Sequence, residues 1–461
     1  MGRILLLAAL PLLAAAANWP QWRGPSNDGM AVGDAPLKWS DTEHVKWRAE
    51  IPGRGHSSPV VWGNRVFVTT AIGAPTMGQG PGGRPPRPDG PPPDGDRPPP
   101  PRDGRPPRRP PPGGPRGGLR GGGPPDGPQS EQQWALLCLD RATGKVIWQR
   151  TAVKAVPHQG HRPGDGSFAN ESPVTDGKHV IAYFGSRGIY CYDMDGNPVW
   201  KKELGVKFDI FHQYGEGTSP VLDGERLLIK GDHEGESFLM VLNKSTGEQI
   251  WRVKREERTS HSVPLVITFE GRKQIITTAT NRIRSYDYQT GAVIWECGGL
   301  GMNAIPAPVV ANGILYAMTG YQEPKLLAIR LGGKGDITGS ERVLWSVTRD
   351  NSYVPSPLVH DGRLYVVRDG GFLTAYDAAS GKPVYQSVRV LAGHTFKASP
   401  VGANGKLYLA SEQDDVIVVK MGDKPEVLAV NTLKDQVFVA SPAIVDGEIF
   451  LRGAGALFCI R

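Results

Sequence analysis

Histidine is the side chain most able to do chemistry near neutral pH, and six of the ten histidines of this chain fall in similar places. His56, His158, His161, His212, His261 and His394 each stand in a polar stretch shortly before or after a Ser-Pro-like dipeptide. The same stretches add Asn170, Glu171, Glu216, Asn303, Arg349, Asp350 and Lys397, and Asn281 and Arg282 occupy a neighbouring turn. Imidazole, guanidinium and carboxamide groups gathered in this way suit recognition of an anionic or polyhydroxylated ligand, because ligand sites use a few converging polar groups in a concavity. Taken singly, each histidine is adequately explained by a hydrogen bond within its own loop. His158-Gln-Gly-His161 has the spacing of a metal pair but no accompanying carboxylate, so no metal site is assigned. No nucleophile elbow, phosphate-binding glycine loop or zinc-protease helix is present, and no catalytic residue is assigned.

The elements that must position these groups repeat. Ser-Pro or its equivalent occurs at Ser58-Pro59, Ser172-Pro173, Ser219-Pro220, Val263-Pro264, Ala307-Pro308, Ser356-Pro357, Ser399-Pro400 and Ser441-Pro442. From Pro173 onward the steps are 47, 44, 44, 49, 43 and 42 residues. Residues 218–251, TSPVLDGERLLIKGDHEGESFLMVLNKSTGEQIW, show what one repeat contains. Asp223-Gly224 suits a tight hairpin turn, apolar runs at 227–229 and 238–242 supply two further strands, and a fourth ends at Trp251. A four-stranded meander with two apolar faces must stack on copies of itself. The fold expected is all-β: an eight-bladed β-propeller of four-stranded antiparallel blades. The last repeat holds only three strands, and HVKWRAEI at 44–51 is expected to complete it, closing the ring with the N-terminal strand and removing open sheet edges.

Asp140/Gly144/Trp148, Asn243/Gly247/Trp251, Asp287/Gly291/Trp295 and Asp377/Gly381/Tyr385 share one spacing, and Asp193/Gly196/Trp200 is one residue shorter. The acid or amide should accept hydrogen bonds from its turn and the glycine take the left-handed position. The aromatic, with Trp47 and Trp345 in equivalent places, should pack on the neighbouring blade. The motifs ALLCLDRATGKVIW at 135–148 and LTAYDAASGKPVY at 373–385 resemble the tryptophan-docking repeat of the pyrroloquinoline-quinone-type β-propellers. That family includes quinoprotein alcohol dehydrogenases, the propeller lipoprotein of outer-membrane protein assembly and exported propellers of unassigned role. The resemblance implies a binding or scaffold module, or alternatively an oxidoreductase using pyrroloquinoline quinone (PQQ) with calcium on a small alcohol or sugar. The adjacent cysteines of the dehydrogenases are missing, as are a haem-attachment motif and the lipid-bearing cysteine of the assembly lipoprotein. A cofactor is therefore not expected outside the alternative.

Residues 1–17 have a short charged head, an apolar run and a small-residue end, the pattern of a secretory signal. The apolar run is too short to span a bilayer. The chain is expected to be periplasmic or secreted and a monomer, with a Trp-rich extension at 18–43 preceding the propeller at 44–461. Residues 73–130 interrupt the first blade with a Pro/Gly/Arg/Asp-rich insert of a composition that buries nothing and is expected to be disordered. Its nine Arg and five Asp supply +4 of the formal +7, so the basic balance belongs to the insert. Its partners would be an envelope protein or anionic polymer and not nucleic acid. Of the four cysteines, Cys138, Cys191 and Cys459 occupy the small-residue position two before the turn acid or its equivalent (Asp140, Asp193, Arg461), where neighbouring blades are roughly 10 Å apart, beyond the roughly 7 Å a disulfide spans. Free, buried thiols are expected there, and Cys297 is assigned to a loop.

Overall fold

The computed structural model describes residues 18–73, 130–162, 164 and 166–461. The expected signal segment at 1–17 and nearly all of the insert lie outside them. The described residues form eight sheets, seven of four strands and one of five, almost without helix. Every blade begins two residues after its Ser-Pro position: Val60–Trp62, Val174–Thr175, Val221–Asp223, Leu265–Phe269, Val309–Ala311, Leu358–His360, Val401–Ala403 and Ala443–Val445. Within blade 3 the order is Val221–Asp223, Arg226–Gly231, Phe238–Asn243 and Gln249–Lys254, all antiparallel neighbours. The eighth blade takes Val45–Glu50 as its outer strand, paired antiparallel with Ala456–Ile460, so Trp47 faces Cys459 and the ring closes as expected.

Two local expectations need correction. Asp223 pairs with Arg226, so the hairpin turns on Gly224 and Glu225 with only the glycine at positive φ (56°). A glycine-first turn has the same hand as the Asn-Gly type and matches strand twist equally well; the two-positive form occurs instead at Asn312-Gly313 and Asp361-Gly362. Cys297 is no loop residue but lies buried in the outer strand Val293–Gly298 of blade 4, opposite Ile283. All four cysteines are free and buried, and burial pushes the thiols of Cys138, Cys191 and Cys459 up to about 12.

The serine of Ser-Pro has a purpose that periodicity alone does not show. Each hydroxyl accepts the backbone N–H of the equivalent residue one blade earlier: Ser58 to Ser172 (2.8 Å), Ser172 to Ser219 (2.9 Å), Ala307 to Ser356 (2.9 Å), Ser356 to Ser399 (2.9 Å), Ser399 to Ser441 (3.0 Å) and Ser441 to Ser58 (3.0 Å). The girdle breaks only where the acceptor would be Val263 or Ala307, which carry no hydroxyl. At the axis the strands converge and their first N–H groups have lost sheet partners, so a short hydroxyl satisfies what would be buried orphan donors. Ser399→Ala should cost about 1–3 kcal/mol, the penalty of stranding the Ser356 N–H; urea midpoints within error of wild type would refute the girdle.

At the perimeter a second clasp joins neighbours. The indole N–H of Trp47 donates to Arg141 O (2.8 Å), Trp148 to Met194 O (3.0 Å), Trp200 to Lys244 O (2.8 Å), Trp251 to Tyr288 O (3.3 Å) and Trp345 to Ala378 O (3.2 Å). Each acceptor follows the turn acid or amide of the next blade, and each ring lies against that turn's glycine. The acids do accept from their own turns, as when Asp140 Oδ1 takes the Thr143 N–H (2.8 Å). Trp295 differs: blade 5 has a longer turn, and its strand Gly335–Asp336 adds in parallel to Val293–Gly298 as a fifth strand, with Leu331 and Ile337 covering the indole. Tyr385 packs partly buried in the blade 6–7 core.

The extension at 18–43 crosses the ring beside the first strands. Trp19 exchanges backbone hydrogen bonds with Val61, Thr175 N–H donates to Pro20 O, and Leu222 N–H donates to the Gln21 side chain. Arg23, 2% exposed, then donates to Pro357 O (2.7 Å) and Pro400 O (3.4 Å). One segment thus ties blades 1, 2, 3, 6 and 7.

Candidate functional site

The loops that carry the chain from the last strand of one blade to the first of the next meet at the axis. The residue two before each Ser-Pro position faces it: His56, Asn170, Gly217, His261, Ile305, Val354, Lys397 and Val439 line one cavity. Read round the ring, the first four positions are polar or bare and the last four apolar apart from Lys397. Arg162, Tyr214, Glu216, Asn303 and Tyr353 widen the mouth, whose volume is about 240 Å³. Deeper, about 130 Å³ extends to the serine girdle and to Trp22. That indole donates to Ser441 Oγ (3.3 Å) and packs on the core of blades 3 and 4, which includes Val263 and Ala307, the two positions without hydroxyls.

Two atoms at the mouth are buried and have no hydrogen-bond partner: His56 Nε2 and Asn303 Oδ1. The His56 ring hydrogen-bonds the Gly166 backbone in a way that favours its protonated form, so it donates there. In the neutral ring Nε2 is then an acceptor. Burial, with Arg54, Arg452 and His161 nearby, lowers the His56 pKa to about 3. Burial and Lys230 lower that of His261 to about 4. Both imidazoles are neutral at pH 7. Asn303, at φ 53°, donates from Nδ2 to Tyr353 Oη (2.9 Å), and Tyr353 stacks on Tyr321 with centroids 5.3 Å apart. Lys397 Nζ is 3.8 Å from Asp369.

Other sequence-selected residues lie outside this cavity. His158 Nε2 bonds Phe208 O (2.9 Å), and His161 is buried edge-on against Phe168. His212 is exposed beside Phe211, and His394 Nε2 bonds Asp415 (2.7 Å). Asn281 forms a left-handed turn, Arg282 pairs with Glu296 (3.3 Å), and Arg349 is exposed. Asp350 accepts from Arg368, Gln386 and Ser387. Glu171 sits off the axis in a small buried side chamber with Glu216, Phe184 and Trp134. Burial and Glu216 push its carboxyl up to about 8; burial brings Glu216, which accepts from Ser186, to about 7. The hydroxyl of Tyr183 shares a neighbouring crevice with both and has no partner. Between blades 3 and 4, Lys230, Asp232 and Arg255 form a fully buried ionic cluster (Arg255 Nε to Asp232 Oδ1, 2.7 Å).

Sequence reading missed Trp22, Tyr214, Tyr353, Ile305, Val354 and Val439. A signal for three of them existed, the fixed offset from Ser-Pro, but a search for polar groups passes over Ile and Val.

Calcium prefers six to eight oxygen ligands, several of them carboxylate. The cavity offers chiefly imidazole, carboxamide, phenol and ammonium groups, and among the described residues no group of three or more His, Cys, Asp or Glu could hold a metal. The donor set does not fit calcium, and no chemical step is derived through a quinone.

Comparison with known proteins places this geometry. The family model described as outer membrane protein assembly factor BamB matches residues 134–387 and 301–423. The assembly factor BamB of Yersinia pestis is 22% identical over 341 residues, covering 70% of this chain and 78% of its own. The crystal structure of quinohemoprotein alcohol dehydrogenase from Comamonas testosteroni superposes with a TM-score of 0.56 at 10% identity, over 97% of this chain and 81% of that one. A europium-containing methanol dehydrogenase gives 0.58 at 10% identity, over 95% and 90%. At such identity the two dehydrogenases show a shared fold alone. By the family match, which spans more than half of the sequence and agrees with the eight-bladed ring, the chain belongs to the BamB family of PQQ-like repeat propellers.

Proposed function

We propose that this protein is an exported binding module, periplasmic or secreted, that presents its inter-blade loop face to an envelope protein or polymer. The observation that carries this reading is the convergence of all eight inter-blade loops on one polar-mouthed cavity. Membership of a family named for an assembly factor supports it. Among the described residues no helix is long and apolar enough to cross a membrane. The test is site-specific photo-crosslinking in envelope extracts, with the probe at exposed Arg349 on an inter-blade loop or at exposed Ile250 on an outer strand. Adducts at 349 that survive deletion of residues 74–129 are expected. Adducts only at 250, or only while the insert is present, would move the contact surface elsewhere. The fold likeness keeps a PQQ-dependent oxidoreductase as the competing reading; tight, calcium-dependent heat on titration with PQQ would favour it over a binding module.

A further inference from the structure

The chemistry of the axial cavity narrows the class of ligand it can hold, an inference that rests on the reading of the loop face as a binding surface. The cavity's two unpartnered buried atoms, His56 Nε2 and Asn303 Oδ1, are both acceptors. A buried acceptor left unpaired forfeits its hydration without recompense, so the complementary ligand brings hydrogen-bond donors, and hydroxyls are the commonest. Across the ring from His56 stand Ile305 and Val354, with Asn303 on the same loop as Ile305, and Lys397 and Val439 complete the arc back to His56. Tyr353, stacked on Tyr321, stands at the entrance. An apolar arc with one acceptor across from it and one beside it matches a molecule with a C–H face and hydroxyls on its edges. The ammonium of Lys397, 3.8 Å from Asp369, and the guanidinium of Arg162 add positive potential, and Glu216, the carboxyl of this lining, is raised by burial to about 7, so a ligand anion would complement the cationic side of the mouth. Arg54 and Arg452 strengthen that field from behind His56. The mouth, about 240 Å³, is below the roughly 300–1,000 Å³ of sites for drug-sized ligands, and Trp22 and the serine girdle limit its depth.

We infer that the cavity binds a hydroxylated organic acid of single-ring size, of the sugar-acid class, with its carboxylate toward Lys397, hydroxyls toward His56 and Asn303, and its C–H face on Ile305, Val354 and Val439. Such a ligand occurs as a free acid and as the terminal residue of an acidic polysaccharide, and both present the same groups.

Isothermal titration of the mature full-length protein with D-glucuronate, D-glucose and acetate separates the required features without any mutation. Glucuronate should bind saturably, and glucose, lacking the charge, and acetate, lacking the hydroxyls, should each be at least about tenfold weaker. Lys397→Met should bring glucuronate down to the affinity of glucose, and His56→Ala should weaken it about tenfold while the protein stays folded, as its far-ultraviolet circular dichroism would show. Digalacturonate tighter than D-galacturonate would identify a polymer end as the source; equal affinity would identify the free acid. Absence of saturable glucuronate binding, or equal binding of glucose or acetate, overturns the inference. Crosslinking at position 349 reports on the binding-module reading separately: adducts without glucuronate binding would sink only the ligand class, and glucuronate binding without adducts only the macromolecular partner.

Discussion

Trp251→Ala is expected to destabilise the propeller by about 3–5 kcal/mol, as emptying an aromatic site in a packed interior does. Trp251 is 9% exposed and lies between blades 3 and 4, in the core with Val241, Val263 and Tyr286. Its N–H donates to Tyr288 O, and its ring lies where a Cβ on Gly291 would come within 2.8 Å. The alanine variant therefore loses dispersion contacts, leaves a void and strands a carbonyl. Two companions divide the effect. Trp251→Phe keeps most of the packing and should cost about 1 kcal/mol plus a fraction for the smaller ring. Gly291→Ala adds a clash with the indole to the roughly 1–2 kcal/mol penalty of a left-handed alanine, whereas Gly224→Ala, at φ 56° with nothing within 4 Å, should show the penalty alone. Equal urea midpoints for the two glycine variants would show that the indole does not sit on the turn.

The second large effect concerns Glu171, 2% exposed and with its carboxyl pushed up to about 8. An ordinary glutamate titrates near about 4.3. Between these values the folded state holds a proton that the unfolded chain has released, so the stabilising contribution is complete below about pH 4 and lost as pH rises through about 8. Glu216, raised to about 7, acts in the same sense. His56 and His261 act oppositely, but only below their ordinary value of about 6.5, above which they are neutral in both states. The window from about 6.5 to about 8 thus isolates the carboxylates. Facing Glu171 and Glu216 are the Tyr183 hydroxyl, Ser186, His158 (3.9 Å from Glu216) and, across the crevice, Lys230 and Asp232. Glu171→Gln keeps the shape and cannot ionise. It should match wild type within about 1 kcal/mol at about pH 5 and exceed it by a few kcal/mol at about pH 8.5, since a tenfold change in proton affinity corresponds to about 1.4 kcal/mol. A gain at low pH as large as that at high pH would assign the effect to packing.

Blade count, blade starts, ring closure and the perimeter clasp are all legible in the amino-acid order. Each is written in a local pattern whose physics is short-ranged: Pro ending a loop, Asp and Gly making a turn, an aromatic eight residues after that acid. Free thiols followed from the same register, since Cys138, Cys191 and Cys459 each face the aromatic of their own blade across one strand pair. Which side chains meet at the axis is settled only by the closed ring. Loops 40 or more residues apart become neighbours only when the blades join, so that His56, two residues before its Ser-Pro position, reaches the axis and His212, seven before its own, does not, while Asn281 lies in a turn between the second and third strands of blade 4. The shifted titration of Glu171 and of His56 likewise comes from burial by other blades, not from adjacent residues. Trp22 was legible only as one of several tryptophans near the N-terminus; its place under the girdle exists because Val263 and Ala307 leave an apolar arc there for an indole to cover.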